Sequence, residues 1–187
     1  NPSKDWSGTL VLTGKKGENL KIMEPDFRAL QVIAEVALGI VGFSAILIGL
    51  SRSKDGFSAP DNFRIQLLTF SAFGAVFCAL LPFAIFNGIE NQLAWKIVSW
   101  VLCIYIVIGL LIFPRRFFQL RSDGYKDLFP LKLAFVQIGI QATIFLLSGS
   151  LIIDLLTQTN AVYIFCLMLF VLQSTIAFIR TMFYRVN

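Results

Sequence analysis

The chain alternates long apolar runs with short connections rich in Lys and Arg, and the length of the runs sets the fold class. A helix crossing ~30 Å of hydrocarbon needs about 20 apolar residues. Five runs meet that need, at about 30–50, 65–86, 95–113, 133–153 and 161–179. The first carries a single charge, Glu35, and the second, fourth and fifth carry none. Strands of a closed barrel would alternate in polarity with period two, which these runs do not. The pattern predicts an all-α, polytopic transmembrane helical bundle of five helices over residues 23–187. Ser58-Ala-Pro-Asp61 reads as the start of the second helix, with proline in its first turn.

The connections then orient the bundle. Ten Lys and Arg residues fall on one side, in the loops after the first and third runs and at the C-terminal end, against six on the other. Because excess cations mark the cytoplasmic side, the N-terminus is expected outside and the C-terminus in the cytoplasm. Trp95, Tyr163 and Tyr184 lie at run ends, where amphipathic rings favour the headgroup level.

Composition narrows the function classes. The 187 residues are 57% hydrophobic and 14% charged, against about 45–50% and about 25% in an ordinary soluble domain. A soluble enzyme, a disordered tail and a disulfide scaffold are excluded. The net charge of +5 is read as a topology signal rather than as affinity for nucleic acid. Histidine is absent, and Cys78, Cys103 and Cys166 sit in apolar runs at no metal-site spacing. No common catalytic or phosphate-binding motif occurs. The expectation is a protein that is not an enzyme and takes no cofactor or metal.

Residues 1–22 are a different material. Thr9-Leu-Val-Leu-Thr13, Gly14-Lys-Lys-Gly17 and Glu18-Asn-Leu-Lys-Ile22 read as two short strands about a turn. The segment is either a partner-docking hairpin on the outer surface or a frayed tail or expression remnant.

Polar residues inside the runs are the candidate site. Glu35 shares a helical stripe with Gly39, Gly42 and Gly49. It reads either as a carboxyl fixing helix packing or as a protonatable group on an ion path, the glycines admitting a neighbouring helix. Gln137, Gln141 and Ser148 fall at about 0°, 40° and 20° around a wheel of 100° per residue and are its expected hydrogen-bond partners. Gln173 and Asn87 complete the set as interhelical glue. Arg115, Arg116 and Arg121, with Phe117 and Phe118 among them, form a cationic loop that serves topology or contacts anionic lipid or an acidic partner.

Leu30-Gln-Val-Ile-Ala-Glu-Val-Ala-Leu-Gly-Ile-Val-Gly-Phe-Ser44, followed by Asn62-Phe-Arg-Ile-Gln-Leu-Leu68, resembles the first two helices of small bacterial inner-membrane proteins of no assigned function. The resemblance implies a compact multi-pass bundle in a bacterial inner membrane and carries no activity.

Two functions follow as expectations. The leading one is a non-enzymatic accessory or scaffold subunit that assembles with itself, as a homo-oligomer, or with other membrane subunits in the lipid bilayer. The alternative is a small ion channel or proton-coupled carrier using Glu35 with Gln137 and Gln141.

Overall fold

In a computed structural model, residues 25–50, 58–87, 90–156 and 158–183 are described. They form five helices: α1 (Phe27–Leu50), α2 (Ala59–Ile85), α3 (Asn91–Ser122), α4 (Leu131–Ile152) and α5 (Thr159–Phe183). All five are long and apolar enough to cross a membrane. The bundle is all-α among the described residues, and each predicted run lies within or almost within one helix. The hairpin reading of residues 1–22, Tyr184 and the cations Arg52, Lys54 and Arg185 lie outside the described residues.

Helix ends follow local chemistry. Ser58 caps α2: its Oγ accepts from the Asp61 N–H at 3.3 Å, with Pro60 in the first turn. The α3 end turns at Gly124, where φ is +100° and the Tyr125 N–H reaches back to the Leu120 carbonyl at 3.2 Å. Asp154, just past the end of α4, makes an exposed ion pair at 2.8 Å with Lys96 near the start of α3.

One boundary differs materially. α3 was expected to stop at Phe113, but it continues through Pro114 to Ser122, so Arg115, Arg116 and Arg121 lie on a helix and not in a loop. At 1.5 Å per residue its 32 residues span about 48 Å, more than the hydrocarbon needs. Proline removes one backbone bond, but the following turns present Phe117 and Leu120 in phase with Phe113. All three are buried against Phe63 and Phe129. That aromatic packing carries the helix past the proline.

α2 is the hub, packed against α1, α3 and α5, while α4 lies against α3 and α5. The exterior is as apolar as the interior, with Phe43, Phe73, Trp100, Phe135 and Leu146 all exposed. Lipid tails match such a surface, so apolar burial alone does not decide which faces meet.

Shape decides instead. The Phe70 and Tyr105 rings stack between α2 and α3, with centroids 4.4 Å apart and planes 15° apart. Each occupies the place left by a glycine on the facing helix. A Cβ on Gly74 would come 2.5 Å from Tyr105 Cε1, and one on Gly109 would come 2.8 Å from Phe70 Cε1. The Tyr105 hydroxyl donates to the Phe70 carbonyl at 2.7 Å, so the Tyr105 ring cannot step aside freely. A second interhelical bond, from the buried Tyr163 hydroxyl to the Cys78 carbonyl at 2.7 Å, joins α5 to α2.

The aromatic reading needs correction. Trp95 and Tyr163 sit near helix starts as expected, but they are only 4% and 0% exposed and pack edge-on at 5.6 Å inside the bundle. Their rings fill the interior instead of lining the headgroup level. The Tyr163 hydroxyl finds a backbone carbonyl there and has no need of the interface.

Gly74→Ala and Gly109→Ala are each expected to lose about 1–3 kcal/mol of stability by overpacking. Gly39→Ala, where a Cβ meets nothing within 4 Å, should be neutral or gain up to about 1 kcal/mol of helix propensity. Reversible unfolding in mixed micelles measures all three, and an equal response at Gly39 and Gly74 contradicts the ring-over-glycine account.

Candidate functional site

The residues that sequence reasoning grouped together separate into two places. On α1, the packing face is centred on Ile33, Ala37 and Ser44, all buried. Glu35, Gly39, Gly42 and Gly49 lie roughly 140–180° around the helix from that centre and are exposed. The glycines do not admit another helix of this chain: a Cβ at Gly39, Gly42 or Gly49 meets nothing within 4 Å. The glycines that admit a close approach are Gly74 and Gly109. Glu35 does not meet Gln137, Gln141 or Ser148 either. Its Oε1 accepts from Gln31 Nε2 at 2.8 Å, one turn away on the same exposed face. This carboxylate–amide pair and the open glycines form one continuous polar and backbone-exposing strip on an otherwise apolar outer surface.

The amides gather inside the bundle. Gln137 and Gln141 of α4 meet Gln173 of α5 along a cleft of about 30 Å³, at whose end stand Arg64 of α2 and Arg180 of α5. A space of that size admits a water molecule or two. Gln141 is 2% exposed and Gln173 fully buried. Among the described residues, both amide atoms of Gln173, Nε2 of Gln141 and Oε1 of Gln137 have no protein hydrogen-bond partner. A buried polar group left unpaired costs about 1–3 kcal/mol. The cleft therefore gathers four unpaired amide atoms among the described residues, within a lining that is otherwise mostly apolar. Ser148 shares the stripe but not the role: it is buried, and its hydroxyl donates to the Phe145 carbonyl of its own helix at 3.0 Å.

The cations at the cleft end are built into the fold. Phe129, on the α3–α4 connection, is fully buried against Phe63 and Phe117. The Arg64 and Arg180 guanidinium carbons each lie 5.7 Å from its ring centroid, within cation–π range. Arg180 also donates to the Leu128 carbonyl at 2.6 Å, and Arg64 reaches Asp61 at 3.4 Å. Of the expected lipid-contact residues, Arg116 is committed to Gln66 at 2.6 Å, Arg121 donates to the Phe129 carbonyl, and Arg115 is exposed.

Sequence reasoning counted Arg64 and Arg180 only as topology signals. Helical phase held the missing signal: Gln173, Ala177 and Arg180 recur at spacings of four and three, as do Arg64, Leu68 and Ser71. Those spacings put each arginine on a buried face.

No family model matches this sequence, and no curated protein or solved structure is significantly similar to it.

Replacing Gln173 by Met, a near-isosteric apolar residue, is expected to leave stability unchanged or raise it by about 1 kcal/mol, since no protein bond is lost. Detergent unfolding of the variant checks this. A loss above about 2 kcal/mol would show that the amide is bonded in the folded protein.

Proposed function

We propose that this protein is a non-enzymatic accessory or scaffold subunit of a bacterial inner membrane, oriented with its cation-rich side in the cytoplasm. It assembles through the outer face of α1, with a second copy or with a helix of a larger complex. One observation carries the reading: the Gln31–Glu35 pair and the open glycines lie on the exposed outer side of α1. An ionised carboxylate near mid-helix costs roughly 2.5–3.5 kcal/mol in lipid. An own-helix amide offsets only part of that cost, whereas a docked helix would cover both groups. Glycines at 39 and 42 leave backbone exposed over the next two turns, the form of surface on which transmembrane helices approach closely. The carrier reading finds less support, because Glu35 faces outward while Gln137 and Gln141 line the interior cleft.

Cysteine at position 42, oxidised in native membranes, tests the assembly. A cross-linked band at twice 20.9 kDa identifies a second copy, and a band of another mass identifies a foreign subunit. Cysteine at Val36, exposed but about 100° from Glu35, should cross-link far less. Gly42→Ile should abolish the assembly while leaving the monomer's unfolding midpoint unchanged. No cross-link at 42, or equal cross-linking at 36, overturns the proposal.

A further inference from the structure

Beside the amide cleft, and sharing Arg64, Leu133 and Arg180 with it, lies a wider groove of about 390 Å³. Its walls differ in character. At the loop level stand the two guanidinium groups and Asp127, and along the helices run Leu133, Ile176 and Ile179. Ile179 is 46% exposed on the outer surface, so the apolar wall continues into the membrane-facing exterior.

Charge at this end is lopsided. The described residues here carry seven Lys or Arg against three carboxylates, Asp61, Asp123 and Asp127. Arg64 and Arg180 stand out among the cations because one buried ring fixes both. With each guanidinium carbon 5.7 Å from the Phe129 centroid, the two are separated by no more than twice that distance. Guanidinium forks match the oxygens of a phosphate bidentately, and preorganisation lowers the entropy lost on binding.

We propose that this groove binds an anionic phospholipid. The lipid phosphate lies between Arg64 and Arg180, and an acyl chain runs along Leu133, Ile176 and Ile179. The Asp127 carboxylate at the rim accepts hydrogen bonds from headgroup hydroxyls, which favours a glycerol-type headgroup. The contacts of both arginines to the Phe129 ring, of Arg180 to the Leu128 carbonyl and of Arg64 to Asp61 stay in place and aim the charges. The site lies apart from the α1 face, so its success or failure is read independently of the assembly proposal.

The test is native mass spectrometry of the full chain in mild detergent, titrated with phosphatidylglycerol, phosphatidylcholine or inorganic phosphate. Phosphatidylglycerol is expected to form retained adducts at lower concentration than phosphatidylcholine. Arg180→Gln should weaken that binding roughly tenfold, the ratio corresponding to about 1.4 kcal/mol. Arg115→Gln, exposed at the same end, should leave it within about twofold, as expected for a charge screened at the surface. Ile179→Trp, which keeps both arginines but fills the groove, should also weaken it, and this variant carries the test if Arg180→Gln does not fold. Three results overturn the proposal. One is equal losses at Arg115 and Arg180, and another is equal binding of phosphatidylcholine. The third is stabilisation by inorganic phosphate that matches the lipid and displaces it, which would make a free anion the occupant.

Discussion

Immersion in hydrocarbon takes away the difference between inside and outside for an apolar side chain, and the rest of this structure answers that constraint. Burying Leu against Leu gains little when the competing neighbour is a lipid tail. The helices are held by features that lipid cannot imitate: ring-shaped gaps left by glycine, and hydroxyls that find a carbonyl on another helix. Phe70 over Gly109 and Tyr105 over Gly74 make a reciprocal lock, and the Tyr105 hydroxyl closes it. Tyr163 does the same between α5 and α2 through the Cys78 carbonyl. All these contacts include α2, which accounts for its central place.

A second organising group sits where the bundle meets its cation-rich end. Phe63, Phe113, Phe117 and Phe129 pack edge to face, an arrangement the aromatic quadrupole favours. This cluster extends α3 beyond the membrane thickness, seats the α3–α4 connection and offers the Phe129 ring to two guanidinium groups. Arg121 reinforces it from α3 by donating to the Phe129 carbonyl. The cations of this end are therefore of two kinds: Arg64, Arg116, Arg121 and Arg180 are positioned by specific partners, and Arg115 is exposed. A count of charges gives an expected orientation but does not make this distinction.

The spans were legible because their signal is one-dimensional: the rise per residue and the hydrocarbon thickness together set a run length. Helix faces were less legible, for the reason that governs the packing. In a soluble helix the apolar stripe marks the buried side, but α1 is apolar nearly all round, and its glycine stripe points outward as readily as inward. Gly39 and Gly42 therefore looked like close-packing sites, although the glycines with a ring against them are Gly74 and Gly109, isolated in their helices. Phase succeeded where polar residues supplied the contrast. Gln137 and Gln141 share the face that lines the cleft, and only Ser148, whose hydroxyl is satisfied within its own helix, dropped out of the group. The end of α3 was lost because Pro114 and the following arginines outweighed the spacing of Phe113, Phe117 and Leu120 in a reading by composition.

The two polar features owe their separation to the same geometry. α1 packs on α2 and α5, so its Glu35 strip faces away from the space that α2, α3, α4 and α5 enclose around the amides. The strip offers a flat backbone surface with one carboxylate, suited to covering by another helix. The cleft offers unpaired amide donors and acceptors beside two fixed cations, and the groove next to it shares those cations. Changes at sites with no shared partner add in free energy, so the proposed assembly and the proposed lipid binding would vary independently. A single ion path joining Glu35 to the amides would require α1 to turn its outer face inward, and that rotation would drive Ile33 and Ala37 out of the core they now fill.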